Sequence, residues 1–139
     1  MKVAVVHNFY RSDFPSGENL SVLRQVRALR NADFEVKLIS TQSDDYITSK
    51  SRMVVMALRW LLNWGKSPRS EIDLFDPDIV IVHNLYPTFS SKWLNSTNYP
   101  VVYWLHNFRL VCMAGTYFRQ DKLCTECAYS ISFKSLVSR

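Results

Sequence analysis

The first apolar run, Val3-Ala4-Val5-Val6, is continuous and β-branched, and polar residues end it at once. That pattern belongs to a strand covered on both faces, as in a parallel sheet. Ser16-Gly17-Glu18 then opens a segment in which Leu20, Leu23, Val26 and Leu29 recur near helical spacing, with Arg24, Arg27 and Asn31 opposite, predicting an amphipathic helix. Phe34 to Ser40 alternates as a partly exposed strand does. Residues 2–40 therefore read as strand, helix, strand with a right-handed crossover, which demands a parallel sheet. Residues 41–50 are polar and read as loop, and residues 52–64 as a second helix with Arg52, Arg59, Asn63 and Lys66 on one stripe. Asp76-Pro77-Asp78 is a turn that launches a buried strand, Ile79 to Val82. A short helix from Ser90 to Ser96, a strand from Val101 to Leu105, an irregular cysteine-bearing stretch and a helical start at Tyr129 complete the pattern. The fold class this predicts is α/β: a Rossmann-like parallel sheet with helices on both faces, forming one domain over residues 1–139.

Composition narrows the class. A chain of 139 residues and 16.3 kDa leaves room for one domain, and 47% hydrophobic residues with only three glycines exclude disordered and collagen-like chains. A net charge of +5 suits an anionic partner such as a phosphate, a lipid surface or nucleic acid. Nucleic acid fits least, because no helix-turn-helix, finger or RNP-like motif accompanies the charge. The N-terminal apolar run is too short for a signal peptide, and Met53 to Leu62, broken by Arg59, falls short of the ~20 residues that cross a bilayer. An odd cysteine count crowded into one segment fits a reducing compartment, so the expectation is a cytoplasmic protein.

The candidate chemistry is concentrated in histidine. The only three, His7, His83 and His106, each close an apolar strand, and each precedes an asparagine, Asn8, Asn84 or Asn107. In an open parallel sheet the strand C-termini share one edge, where ligands bind, so the three pairs are expected to meet there. Either they cap strands and bond loop backbone, or they form a shared polar site. Zinc on three imidazoles is a further reading, weakened because no acidic second-shell residue adjoins them. Hydrogen bonding to the hydroxyls of a sugar or polyol suits both side chains, with Tyr10, Tyr86, Phe89 and Phe108 nearby as apolar faces. Pro15-Ser16-Gly17-Glu18 is either a phosphate-binding helix start or an ordinary N-cap. Cys112, Cys124 and Cys127 hold three of the four thiols a zinc knuckle needs, or are metal-free loop thiols. Lys50 to Arg69 carries five cations among Met, Leu and Trp residues, as a sheet-covering helix or one lying in a lipid interface. Asp44-Asp45 and Asp76-Pro77-Asp78 are expected in loops before strands, off the ligand edge, so no glycosidase-like carboxylate pair forms.

Three stretches together carry a resemblance: His7-Asn8-Phe9-Tyr10 with Ser16-Gly17-Glu18-Asn19, Pro77 to Pro87 with its His83-Asn84, and Leu105-His106-Asn107-Phe108-Arg109-Leu110-Val111-Cys112. The chain resembles, over its whole length, the N-terminal half of the family 4 retaining glycosyltransferases. The resemblance implies a GT-B enzyme in which two Rossmann-like domains face across a cleft, with the acceptor on the domain present here and a nucleotide-sugar donor on the other. It implies that His106 bonds a hydroxyl of the transferred sugar and positions the reaction, as the catalytic residue. Gly17 matches the second glycine of a Gly-Gly loop near the donor phosphates, and Ser16 replaces the first. His83, Asn84 and Arg109 are implied on the acceptor side, while His7, Asn8 and Asn107 are substrate-binding candidates by their strand-end positions. Similar cysteines in some relatives imply a structural staple. The glutamates and cations that hold the donor diphosphate belong to the family's second domain, so the expected function is transfer of a hexosyl unit to a glycan or lipid-linked acceptor. Activity would require a C-terminal donor-binding domain or subunit as partner, with no cofactor in this half. The rival expectation is a non-catalytic binding or scaffolding module. The peripheral inner membrane face is an expected location, and an open sheet edge leans the isolated chain toward a homodimer.

Overall fold

A computed structural model describes residues 1–10, 12–13, 16–45, 55, 62–108, 112 and 116–125. The chain divides into two units, Met1–Trp104 and Leu105–Arg139. The first contains a four-stranded, all-parallel sheet of β1 (Lys2–Phe9), β2 (Glu35–Gln42), β3 (Ile79–Val82) and β4 (Val101–Tyr103) in the order β2-β1-β3-β4. Helix α1 (Gly17–Asn31) connects β1 to β2, and α2 (Arg69–Phe75) precedes β3. This is a Rossmann-like α/β arrangement, and the chain runs to one side of β1 first and to the other side later. The boundary between β1 and β3 is thus the topological switch point.

Period-two alternation assigns the two faces. Val3 and Val5 of β1 pack with Val22 and Val26 of α1, backed by Val36, Leu38, Ile79 and Ile81. Ala4 and Val6 point the other way, into a cluster with Ile39, Ile72 of α2, Val80, Val82, Leu85, Phe89 and Trp93. Both faces of β1 are sealed, which is why its sequence is an unbroken apolar run. Registers such as Val5 opposite Leu38 and Ile81 keep these alternations in phase across three strands.

Local signals set the element ends. Ser16 takes extended backbone angles and its hydroxyl accepts the amide of Asn19 at 3.3 Å, an N-cap. Glu18 places a negative charge in the first turn, at the positive end of the helix dipole. Asp76 closes α2 in the left-handed region at φ 50°. Two residues later Asp78 accepts the backbone amide of Lys2 at 2.6 Å and donates its own amide to the Lys2 carbonyl, stitching the N-terminal ends of β1 and β3.

Several expectations are corrected. Strand β2 extends to Gln42 and is followed by a 3-10 turn, Ser43–Asp45, where loop was expected. Asp44 therefore follows a strand instead of preceding one and lies on the same edge as the strand-end histidines. The Ser90–Ser96 helix is a single 3-10 turn, Lys92–Asn95, and β4 stops at Tyr103. Helix α2 was not anticipated: with Ile72 its only fully buried residue, seven residues give too little periodicity to register. The expected helix over 52–64 and the helical start at Tyr129 lie almost wholly or wholly outside the described residues. Among the described residues no helix is long and apolar enough to cross a membrane.

The second unit holds a short antiparallel hairpin, β5 (Phe118–Arg119) and β6 (Lys122–Leu123). Its two linking residues, Gln120 and Asp121, have φ of 50° and 57°, the positive pair that matches a right-twisted hairpin. Phe108 and Tyr117 meet edge to face at 4.9 Å.

Gly65 marks the tightest backbone approach. A methyl group there would overlap the Ser90 amide nitrogen, the Phe89 carbonyl carbon and the Thr88 oxygen, because Lys66 pairs with Phe89 in a parallel bridge. Gly65→Ala is expected to lower stability by about 2–4 kcal/mol in urea denaturation, through overpacking that only a backbone shift can relieve.

Candidate functional site

The ladder between β1 and β3 continues past the end of β3. The His83 amide donates to the Val6 carbonyl at 3.0 Å, and the Asn8 amide donates to the Asn84 carbonyl at 2.7 Å. Two His-Asn pairs are thereby brought side by side at the switch point, with the imidazoles of His7 and His83 6.0 Å apart and near-perpendicular. Strand alternation then separates the members of the first pair. His7 shares the α1 face with Val3 and Val5, whereas Asn8 shares the opposite face with Ala4 and Val6. His7 and Asn8 thus share the strand-end edge but bond to opposite sides of the sheet.

On the α1 face, Nε2 of His7 lies 3.2 Å from Oδ1 of Asn19, and Nε2 of His83 lies 2.7 Å from Oε1 of Gln25. An amide oxygen only accepts, so with the carboxamides in these orientations Nε2 of each imidazole is the donor. The Tyr10 amide also donates to Oδ1 of Asn19 at 3.2 Å, which supports that orientation of the carboxamide. His7 is fully buried and His83 is 3% exposed, and Trp104 approaches His83 with ring centroids 6.2 Å apart.

On the other face Asn8 is a junction. Its Oδ1 accepts from Thr41 at 2.9 Å and from Thr88 at 2.6 Å, and its Nδ2 donates to Ser43 at 3.0 Å and to the Phe9 carbonyl at 3.3 Å. Fully buried, it spends its hydrogen-bonding capacity inside the fold.

Polar capacity does remain on this edge. Asn84 accepts the Tyr86 amide at 3.0 Å through Oδ1, while its Nδ2 is buried with no partner among the described residues. Glu18 accepts from the Tyr10 hydroxyl at 3.1 Å through Oε2, while its Oε1 is likewise buried and without a partner. A donor just beyond β3 and an acceptor beside the end of β1 are thus left unspent, an uncommon state for buried polar atoms. Glu18 and Asn19, read in sequence only as part of a helix-start motif, and Tyr10, read only as an apolar face, contribute polar groups to this edge. Burial, and after it the neighbouring Glu18 carboxylate, hold the Tyr103 phenol above its ordinary pKa of 10.0.

The other expected residues are placed as follows. Ser16 spends its hydroxyl oxygen on the cap, and at Gly17 an added methyl would meet nothing within 4 Å, so that position is open rather than crowded. His106 and Asn107 belong to the second unit, half-buried, as does Cys112, whose amide donates to the Phe108 carbonyl at 2.7 Å. Arg109 and Cys127 lie outside the described residues. Among the described residues no group of three or more His, Cys, Asp or Glu side chains is placed to hold a metal ion.

Two measurements follow from this geometry. Asn8→Ala should lower stability by roughly 2–4 kcal/mol, since it strands Thr41, Thr88 and Ser43 at once, and chemical denaturation reads the loss. Because the folded Tyr103 phenol titrates above its unfolded value, its contribution is whole below pH 10 and is lost as pH rises through the folded pKa. Glu18→Gln should bring that titration down in ultraviolet difference spectra, part of the way only, burial being the larger cause. Comparison of the chain with family models, with curated proteins and with solved structures returns no match.

Proposed function

We propose that the chain is the acceptor-side domain of a nucleotide-sugar-dependent glycosyltransferase, the N-terminal half of a GT-B enzyme of the family 4 retaining type. The observation that carries this reading is the unspent pair at the switch point, the Glu18 Oε1 acceptor and the Asn84 Nδ2 donor. A sugar hydroxyl satisfies both kinds of group, because it donates and accepts in one atom. A phosphate fits this corner poorly: the Glu18 carboxylate already supplies negative charge at the start of α1, and a second anion would be repelled. The acceptor glycan or lipid-linked sugar is therefore the ligand of this edge. The donor phosphates and their cations fall to a C-terminal domain or subunit. His106 is assigned to the transferred sugar, and His83, through its bond to Gln25, to holding α1 over the acceptor site.

The burial of His7, Asn8 and His83 favours a second reading, a non-catalytic binding module in which these residues serve packing alone. Saturation-transfer NMR against a panel of simple glycosides distinguishes ligand binding from none. The expected outcome is weak, saturable binding that falls about tenfold in Glu18→Gln and in Asn84→Ala, one lost hydrogen bond to a charged or buried group each. Failure of every hydroxyl-rich ligand, or indifference to both substitutions, overturns the acceptor assignment. In a chain fused to a donor-binding domain that supports sugar transfer, His106→Ala should reduce turnover by at least ~100-fold. Unchanged turnover removes His106 from the reaction.

A further inference from the structure

On the sheet face away from α1, a surface cavity of about 580 Å³ is lined by residues of two segments, 63–69 and 90–96. It shares no residue with the switch-point edge. Its walls are built rather than incidental. The Asn63 carboxamide donates to the Ser91 hydroxyl and accepts from the Ser90 hydroxyl and the Ser91 amide, all at 2.9 Å. Gly65 is pressed against Ser90 so closely that no side chain fits between them. The two segments therefore hold one geometry.

What the walls present is one-sided. Lys92 projects an ammonium with no partner among the described residues, and Arg69 keeps guanidinium N–H groups beyond the two it spends on Asp73 and Ser96. Ser67 accepts the Arg69 amide and keeps its hydroxyl hydrogen to donate. Trp93 is 3% exposed and lines the same cavity, and its indole N–H is buried with no acceptor among the described residues. Among the described residues no acidic side chain lines the cavity, and Glu71 and Asp73 nearby are engaged with Lys66 and Arg69. Trp64, 66% exposed, adds a flat apolar wall.

We infer that this cavity binds a phosphomonoester, with Lys92 and Arg69 neutralising the charge, Ser67 donating to its oxygens, Trp93 forming the floor beneath it, and Trp64 covering the group esterified to it. Charge-assisted bonds from a guanidinium and an ammonium favour phosphate over a neutral sugar. The inference stands apart from the acceptor site, since no residue is shared and no hydroxyl-binding step is needed.

Inorganic phosphate titrated into the full chain, with chloride at matched ionic strength as control, tests it. The readout is the indole N–H resonance of Trp93, identified by its loss in Trp93→Phe. A saturable shift with phosphate and none with chloride is expected, and Lys92→Ala and Arg69→Gln should each weaken it about tenfold, the loss of one charge-assisted contact. Flotation with phosphatidylcholine vesicles, with and without phosphatidic acid, identifies the source of the phosphate. Binding that needs phosphatidic acid and is competed by phosphate supports a lipid headgroup, whereas a phosphate response without vesicle binding supports a soluble phosphoester. No saturable response to either probe, or a response that both substitutions leave unchanged, overturns the inference.

Discussion

Asn8 stands where β1, the turn after β2 and the loop after β3 meet, and its carboxamide bonds to all three. A parallel sheet has no hairpins to fix its register locally, so the strands must be tied by contacts made far apart in sequence. Asn8 provides such a tie at the C-terminal ends, and Asp78 with Lys2 provides its counterpart at the N-terminal ends. Between them the apolar alternation of β1 and β3 is locked in phase. The position of every crevice residue follows from that locking, because a slip of one residue would exchange the faces of His7 and Asn8.

Burial on both faces explains why the central strands were legible from their letters alone. Val3 to Val6 and Ile79 to Val82 show continuous apolar runs that only a sealed strand carries. His-Asn repeats at the ends of such strands look like a ligand rim when read along the chain. Read across the pleat, neighbouring residues must part company, and His7 and Asn8 do so. Helix α2 escaped detection because seven residues make barely two turns, and Glu18 because its role at a helix start concealed its unspent oxygen. Asp44 was misplaced for a simpler reason: β2 runs two residues beyond the alternating stretch, into Thr41 and Gln42, whose polarity reads as loop.

The distribution of charge sorts the surface into two chemistries. The switch-point edge couples one carboxylate with neutral donors and acceptors. The cavity on the opposite face presents Lys92 and Arg69, with no acid among its described lining residues. Trp93 joins the second of these to the core, since its ring packs with Ile72, Phe89, Val80 and Val82 beneath the sheet. An occupant of the cavity would therefore press against the same hydrocarbon that supports β3.

Helix α1 is held from below at two points, Asn19 by His7 and Gln25 by His83, on neighbouring strands. An axial shift of a single residue, about 1.5 Å of rise with a turn of the helix face, would disengage both anchors together. The helix and the floor of the crevice are consequently one mechanical body, and a ligand bound there meets a wall that yields only by tilting the sheet with it.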